Sequence, residues 1–257
     1  MIDAWRRAAR LAIRARARDM TSATASRPAL VLAPHPDDET LGCGATILRK
    51  VAGGAPVTVA VLTDGSRSHR SPTIPPEQLA AVRHAEMIEA ARRLHLPEGA
   101  VRWGGFGDGA LSSSEDEVVT FIAALITELE PAEVYATSAL EPHPDHAALG
   151  RAARRAVAGT PGVTLLEYAV WLWGAWPFQA GDRAGSGLDA ARIALGRRAR
   201  RVRADEYLTG KLHALDAHDT QLHRPSAVPS DEDWAVLPPG VLSAASAADE
   251  LFLPWPR

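Results

Sequence analysis

The sequence has little of what secreted, membrane-spanning or nucleic-acid-binding proteins depend on. Its single cysteine, Cys43, excludes an internal disulfide and is compatible with a reducing compartment. No stretch approaches the roughly 20 apolar residues of a membrane span, and the N-terminus lacks the apolar core of a signal peptide. The formal net charge of -3 gives no general basis for binding nucleic acid. We therefore expect a cytoplasmic protein without a nucleic-acid partner.

The N-terminus is rich in arginine and alanine. Six arginines fall between Trp5 and Arg18, separated mainly by alanine, and this composition favours a helix. The pattern predicts a basic helix or arm over residues 1–28 that ends in a linker. A solvated arm, an amphipathic helix on an anionic membrane surface and an organellar transit peptide are all compatible with it. We therefore expect a cytoplasmic protein, with peripheral contact to a membrane through this segment as the alternative.

Residues 29–222 alternate between short apolar runs and helical patterns. The runs at 29–33, 57–62, 101–103, 134–137 and 163–173 predict strands, and the segments at 41–51, 77–96, 115–129, 147–158 and 205–217 predict helices. This alternation indicates a single α/β domain with a Rossmann-like, mostly parallel sheet flanked by helices. Residues 179–203 read as a loop or lid. Residues 223–257, rich in Pro and Ser, are expected as an extension packed on the domain surface.

Two short motifs carry most of the chemical information. Pro34 to Glu39 reads PHPDDE and follows the first predicted strand, while His143 to His146 reads HPDH and follows the fourth. In open parallel sheets, ligands bind beyond the carboxyl ends of the strands near a topological switch point. Either motif alone could be a helix cap or a turn. Their shared position predicts one functional site.

Imidazole and carboxylate together are ligands that zinc favours, and a catalytic zinc needs three of them with an open position for water. His35 and His146 supply two imidazoles. Of the adjacent carboxylates Asp37 and Asp38, one could bind the metal while the other removes a proton from water. A protonated His143 could stabilise a developing oxyanion.

At these residues the chain resembles the PIG-L (LmbE-like) family of zinc-dependent de-N-acetylases. The resemblance extends over PHPDDETLGCG at 34–44, LTDG at 62–65, GDGAL at 107–111, HPDH at 143–146 and the segment 211–221. It implies one zinc ion per chain, with His35, Asp38 and His146 as ligands. It also implies Asp37 as general base, His143 as electrostatic stabiliser or general acid, and Asp108 as a contact to sugar hydroxyls.

Further residues are candidates for binding substrate or supporting the site. Arg67 and Arg70 could meet an anionic group of the substrate or belong to a solvated loop, and His218 could line the pocket or sit in the core. By the resemblance, Arg83 and Glu86 brace the site, and Glu141 stands where some members carry a tyrosine. Aromatic residues that could stack on a sugar, or be buried, are Trp171, Trp173 and Trp176.

The sequence thus predicts a zinc-dependent hydrolase that removes the N-acetyl group from an N-acetylglucosamine-type sugar or glycoconjugate. An amidase for a non-sugar or thiol-conjugate amide would use the same ligands. A metal-containing binding protein without catalysis is a third hypothesis, which the presence of Asp37 beside all three ligands disfavours.

Overall fold

A computed structural model describes residues 10–175 and 199–254 of the chain. The start of the predicted N-terminal arm, Trp176 and most of the predicted 179–203 loop lie outside the described residues. Residues 10–16 are helical. Within the described ranges, no helix reaches the length and apolar character that crossing a bilayer needs.

The sheet contains eight strands in the order β1-β7-β8-β6-β5-β2-β3-β4. Neighbouring strands from β6 through β4 are parallel, while β8 runs antiparallel to both β6 and β7. The prediction of a mostly parallel sheet in an α/β fold is therefore confirmed. The strands are β1 (Arg18–Asp19), β2 (Ala29–Ala33), β3 (Val57–Thr63), β4 (Val101–Phe106), β5 (Glu133–Thr137), β6 (Thr164–Tyr168), β7 (Arg200–Arg203) and β8 (Asp249–Pro254).

Helices cover both faces of the sheet. The side chains of the central strand β2 therefore alternate between two hydrophobic cores, one on each face. Val31 of β2 packs with residues of α2 and α3, whereas Leu30 and Leu32 pack with α4 and α5. All five residues of β2 are buried, as expected for a parallel strand covered on both sides. The helices are α1 (Thr21–Thr24), α2 (Asp38–Ala52), α3 (Pro76–Arg93), α4 (Glu115–Leu129), α5 (Pro144–Ala158), α6 (Leu172–Ala175), α7 (Leu208–Leu215), α8 (Asp219–Leu222) and α9 (Pro239–Ala245).

Two buried lysines tie distant parts of this framework together. Lys50 donates to Glu133 on β5 at 2.7 Å and to two backbone carbonyls near α1. Lys211 donates to Glu250 on β8 at 2.8 Å and to the carbonyl of Leu41 at 2.9 Å. Each ammonium is therefore paired and hydrogen-bonded, which is what allows a buried charge to persist.

The structure differs from the sequence-based expectation mainly near the C-terminus. The long apolar run predicted as a strand over 163–173 forms β6 and then α6. Residues 239–254 do not simply cover the surface, because they form α9 and the strand β8 inside the sheet. Strand β8 was missed because its apolar core, Leu251 to Leu253, is short and pairs only with segments distant in sequence.

Candidate metal-dependent active site

The two motifs lie at the carboxyl ends of β2 and β5, which are neighbours in the sheet. From β2 the chain proceeds outward to β3 and β4, and then returns to β5 on the other side of β2. The gap between β2 and β5 is therefore the topological switch point where α/β folds bind ligands. His35 and Asp37 lie in the loop after β2, and His143 immediately precedes α5.

His35, Asp38 and His146 place three ligand atoms around one point. The Oδ2 atom of Asp38 lies 3.3 Å from Nδ1 of His35 and 3.3 Å from Nε2 of His146. All three residues are buried, and their ligand atoms lie within 4.8 Å of one another. Two imidazoles and one carboxylate are a donor set that suits a divalent transition metal.

The hydrogen bonding of His146 supports metal binding. Both ring nitrogens of His146 are buried and neither makes a hydrogen bond. Because an unpaired buried polar group is costly, Nε2 needs a partner between itself and Asp38. On the other side of the ring, Oε2 of Glu141 lies 3.5 Å from Nδ1, where a carboxylate can orient a metal-ligating histidine. The residues present therefore fit a metal ion.

His35 is oriented by two further carboxylates. Its Nε2 lies 3.1 Å from Oδ1 of Asp108 and 3.3 Å from Oδ2 of Asp145. Burial lowers the pKa of His35, but the hydrogen bonds to Asp108, Asp145 and Asp38 outweigh it and raise that pKa well above its ordinary value. Asp145 also accepts from the backbone N–H groups of Gly109 and Leu111, so it joins the GDGAL loop to the histidine motif.

Asp37 is held in an unusual conformation beside the ligands. Its φ of 124° is uncommon for a residue with a side chain. Arg83 fixes the loop by donating to the carbonyls of Pro36 and Gly65, and its Nη2 lies 3.4 Å from Oδ2 of Asp37. Burial, together with the nearby charge of Asp38, raises the pKa of Asp37 to about 7. A carboxylate with such a pKa is suited to take up a proton at neutral pH.

His143 lies beside the ligand cluster and caps α5 with its ring. Its Nδ1 accepts from the backbone N–H of Asp145 at 3.3 Å and caps α5, which leaves the ring proton on Nε2. Burial and the charges of His146 and His35 lower the pKa of His143 to about 4. This hydrogen bond and the low pKa favour a neutral imidazole with its proton on Nε2, whereas the sequence analysis considered a protonated His143.

These residues line a cavity of about 280 Å³, and we call its charged and polar lining the polar wall and its aliphatic and aromatic lining the apolar wall. Arg67 and Asp108 lie on the polar wall, where the backbone N–H of Arg67 donates to Asp108 at 2.7 Å. Arg70 is exposed and is not part of the lining. The apolar wall is formed by Leu41, Val170, Trp171, Ala235, Val236 and Leu237.

His218 and Glu86 support the site from outside the cavity. His218 is fully buried, with Nε2 3.5 Å from Oε1 of Glu39. Glu86 accepts from the backbone and side chain of Thr220 and so attaches α8 to α3. Gln221, which follows Thr220, reaches the cavity lining.

The sequence analysis missed two carboxylates that orient the histidines of the cluster: Asp145 faces His35, and Glu141 faces His146. Asp145 lies inside the HPDH motif, so its position was visible, but its contact with His35 depends on how two loops meet. Glu141 was considered only as a departure from the family pattern. In the structure it accepts three backbone N–H groups, from Val170, Trp171 and Leu172, while facing His146.

Residues 30–157 match the sequence family PIG-L, described as GlcNAc-PI de-N-acetylase. The chain is 34% identical over 142 residues to a probable N-acetyl-alpha-D-glucosaminyl L-malate deacetylase 2 of Bacillus cereus, which covers 52% of this chain and 63% of that protein. It is 32% identical over 181 residues to a 1D-myo-inositol 2-acetamido-2-deoxy-alpha-D-glucopyranoside deacetylase of Geodermatophilus obscurus, covering 60% of this chain and 59% of that protein. The match thus spans about three fifths of each relative.

Solved structures share the fold. The N,N'-diacetylchitobiose deacetylase of Pyrococcus horikoshii superimposes with a TM-score of 0.58 at 23% identity, over 75% of this chain and 70% of that one. The zinc-inhibited form of teicoplanin deacetylase Orf2 gives 0.58 at 21% identity, over 74% and 83% of the two chains. At these identities the likeness establishes the architecture alone.

Proposed function

Because residues 30–157 of this chain belong to the PIG-L family, we propose that the protein is a zinc-dependent de-N-acetylase. Its substrate class is an N-acetylglucosamine-type sugar or glycoconjugate, which loses acetate and gains a free amine. The observation that carries the proposal is the juxtaposition of the His35, Asp38 and His146 cluster with Asp37 in one cavity. Relatives described as deacetylases of N-acetylglucosaminyl malate and of an inositol glucosaminide support the substrate class.

Each residue then has a defined part in amide hydrolysis. His35, Asp38 and His146 would hold the zinc ion, which would supply Lewis acidity and would lower the pKa of a water molecule from about 15.7 to about 7. Asp37 accepts the proton of the attacking water, as its pKa of about 7 allows. His143 donates from Nε2 to the carbonyl oxygen as negative charge develops there. The protonated Asp37 returns its proton to the leaving amine.

The remaining cavity residues position the sugar. Arg67 and Asp108 stand on the polar wall, where a guanidinium and a carboxylate suit sugar hydroxyls or an anionic substituent. Asp108 also holds His35, so a contact with substrate there would link sugar binding to the metal ligand.

We further propose that the protein is cytoplasmic and contacts membranes through its N-terminal segment. Leu11 is 59% exposed on a helical stretch that carries the exposed Arg16 and is followed by the exposed Arg18, a combination suited to an anionic lipid surface. Co-sedimentation with anionic and with neutral vesicles tests this; equal recovery with both at low salt would contradict it.

The function is tested by acetate release from N-acetylglucosamine and its glycosides by the zinc-loaded enzyme. Asp37→Asn should reduce turnover about 10²- to 10⁴-fold because the proton acceptor is lost. Asp64→Asn is the matched control, since Asp64 is exposed and outside the cavity lining. No acetate release with zinc bound, or equal turnover in the two variants, would reject the proposal.

A further inference from the structure

Within the described ranges, two histidines are buried without a hydrogen bond at either ring nitrogen. They are His146, a ligand of the metal cluster, and His218, which immediately precedes α8. An unpaired buried polar group is costly, and for His146 a metal ion is the natural partner. His218 belongs to neither group of described side chains that could hold a metal ion, so its ring needs a different partner.

The backbone around His218 is firmly held. Its N–H donates to the carbonyl of Leu215 at 2.9 Å, and its own carbonyl accepts from the N–H of Gln221 at 3.0 Å. The helix α8 is attached to α3 because the N–H and the hydroxyl of Thr220 donate to Glu86 at 2.8 and 2.7 Å. The imidazole ring is therefore carried by a part of the chain with a fixed position.

The ring of His218 faces a buried carboxylate. Its Nε2 lies 3.5 Å from Oε1 of Glu39, and both side chains are fully enclosed. The same Oε1 accepts from the hydroxyl of Thr40 at 2.6 Å, while Oε2 accepts from the backbone N–H of Asp37 at 3.1 Å. Because an ionised carboxylate only accepts hydrogen bonds, a proton on Nε2 is what makes His218 a partner for Glu39.

The other oxygen of Glu39 matters because it holds the backbone of the proposed general base. Asp37 has a φ of 124°, a conformation that persists only where the surrounding contacts enforce it. Its N–H is bound by Glu39, and its carbonyl accepts from the N–H of Leu41 at 2.9 Å. Asp37 lines the catalytic cavity, whereas Glu39 and His218 lie behind it. A change at His218 would therefore reach the cavity through Asp37.

We propose that His218 is a positioning residue for the general base. It donates from Nε2 to Glu39, whose second oxygen holds the amide of Asp37 in place. This inference rests on the proposed function, and it gives His218 no contact with metal or substrate. Loss of the donor should therefore lower kcat, while KM and zinc content stay near their wild-type values.

Methionine and glutamine are matched replacements for His218, since both are unbranched and of similar length but only glutamine ends in an N–H donor. We expect His218→Met to lower kcat about 10- to 100-fold, the loss that a displacement of about 1 Å near the reacting atoms can cause. His218→Gln should stay within about 3-fold of wild type because it keeps a donor. His213→Met, at an exposed position of α7, is the control.

Hydrogen exchange of the Asp37 amide measures the position of the base without any turnover. Selective isotope labelling of aspartate nitrogen reports this amide, and Asp37→Asn identifies its signal. We expect exchange about 10-fold faster in His218→Met than in wild type, and close to wild type in His218→Gln. If the amide responds in this way in a protein that releases no acetate, the deacetylase alone is rejected.

The wild-type protein supplies a further test that does not depend on the folding of His218→Met. Long-range proton–nitrogen NMR spectra of the zinc-loaded protein show which ring nitrogen carries a proton, and His218→Gln identifies the signal. We expect a proton on Nε2, and an unprotonated Nε2 overturns the inference. So do wild-type kcat and amide exchange in His218→Met, equal losses of kcat in His218→Met and His218→Gln, or loss of zinc from His218→Met.

Discussion

The loop after β2 holds Asp37 at a φ of 124°, whereas the loop after β5 brings His143 into α5 at a φ of -75°. Asp37 of the first loop and the first two residues of α2, Asp38 and Glu39, lie side by side and are buried. In the second, the His143 ring caps the helix and Pro144 occupies its first turn, as helices prefer. Backbone strain and like charge are thus concentrated around Asp37, whereas the backbone at His143 is unstrained.

The difference indicates how the site divides its tasks. Burial and the neighbouring carboxylates raise the pKa of Asp37, and these carboxylates attract a cation, while burial and the charges of His146 and His35 lower the pKa of His143. Without the metal, the first segment carries uncompensated like charge around Asp37, and His146 of the second segment keeps two unpaired ring nitrogens.

The largest expected effect is the loss of bound metal and of turnover when His146, near the start of α5, is replaced. His146→Ala should lose bound zinc and bring turnover to background, because two ligands do not hold a catalytic zinc. Elemental analysis after gel filtration measures the metal. His223→Ala, at an exposed position, is the control. Full zinc content in His146→Ala would exclude His146 as a ligand.

The second largest expected effect is a higher free energy of unfolding when Asp37, in the strained loop after β2, is replaced. Since the pKa of Asp37 rises from 3.8 to about 7 on folding of the metal-free protein, folding takes up a proton and stability falls as pH rises through this window. Asp37→Asn removes that cost. We expect its free energy of unfolding to exceed that of wild type by on the order of 3 kcal/mol at pH 8, and by little at pH 4.

Urea denaturation of metal-free protein at both pH values checks this expectation, with Asp64→Asn as the control for losing one acidic group. If the free energies of unfolding of Asp37→Asn and wild type differ by the same amount at pH 4 and pH 8, Asp37 has an ordinary pKa. A destabilised Asp37→Asn would show that its carboxylate supports the loop through Arg83 more than its burial costs.

The smallest effect concerns the carboxylate that links the loops. Asp145→Asn keeps an acceptor oxygen for only one of the backbone N–H groups of Gly109 and Leu111, and it removes the negative charge that orients His35. We expect zinc affinity to fall about 10- to 100-fold, as for other carboxylates behind a ligating histidine. Competition with a chelator measures it. Asp116→Asn, at an exposed site, should bind zinc like wild type, and equal affinities would remove Asp145 from this role.

The sequence predicted the parallel core and the ligand cluster because both depend on local patterns. The first motif follows β2 directly and the second follows β5 after a short loop, so strand position alone placed His35 and His146 at one edge. The partners of these residues could not be predicted in the same way. Glu141 meets the backbone at 170–172, and the position of β8 between β6 and β7 depends on pairing with segments far along the chain.

The two buried lysines have a consequence for the chemistry of the surface. The sequence contains lysine only at positions 50 and 211, and both side chains are enclosed. Positive charge at the surface is therefore carried by guanidinium groups, which remain protonated at any pH that proteins meet and do not react with amine-directed reagents. Cross-linkers, acylating probes and lysine acetylation should leave the folded molecule unmodified at these positions, so modification of Lys50 or Lys211 would report unfolding.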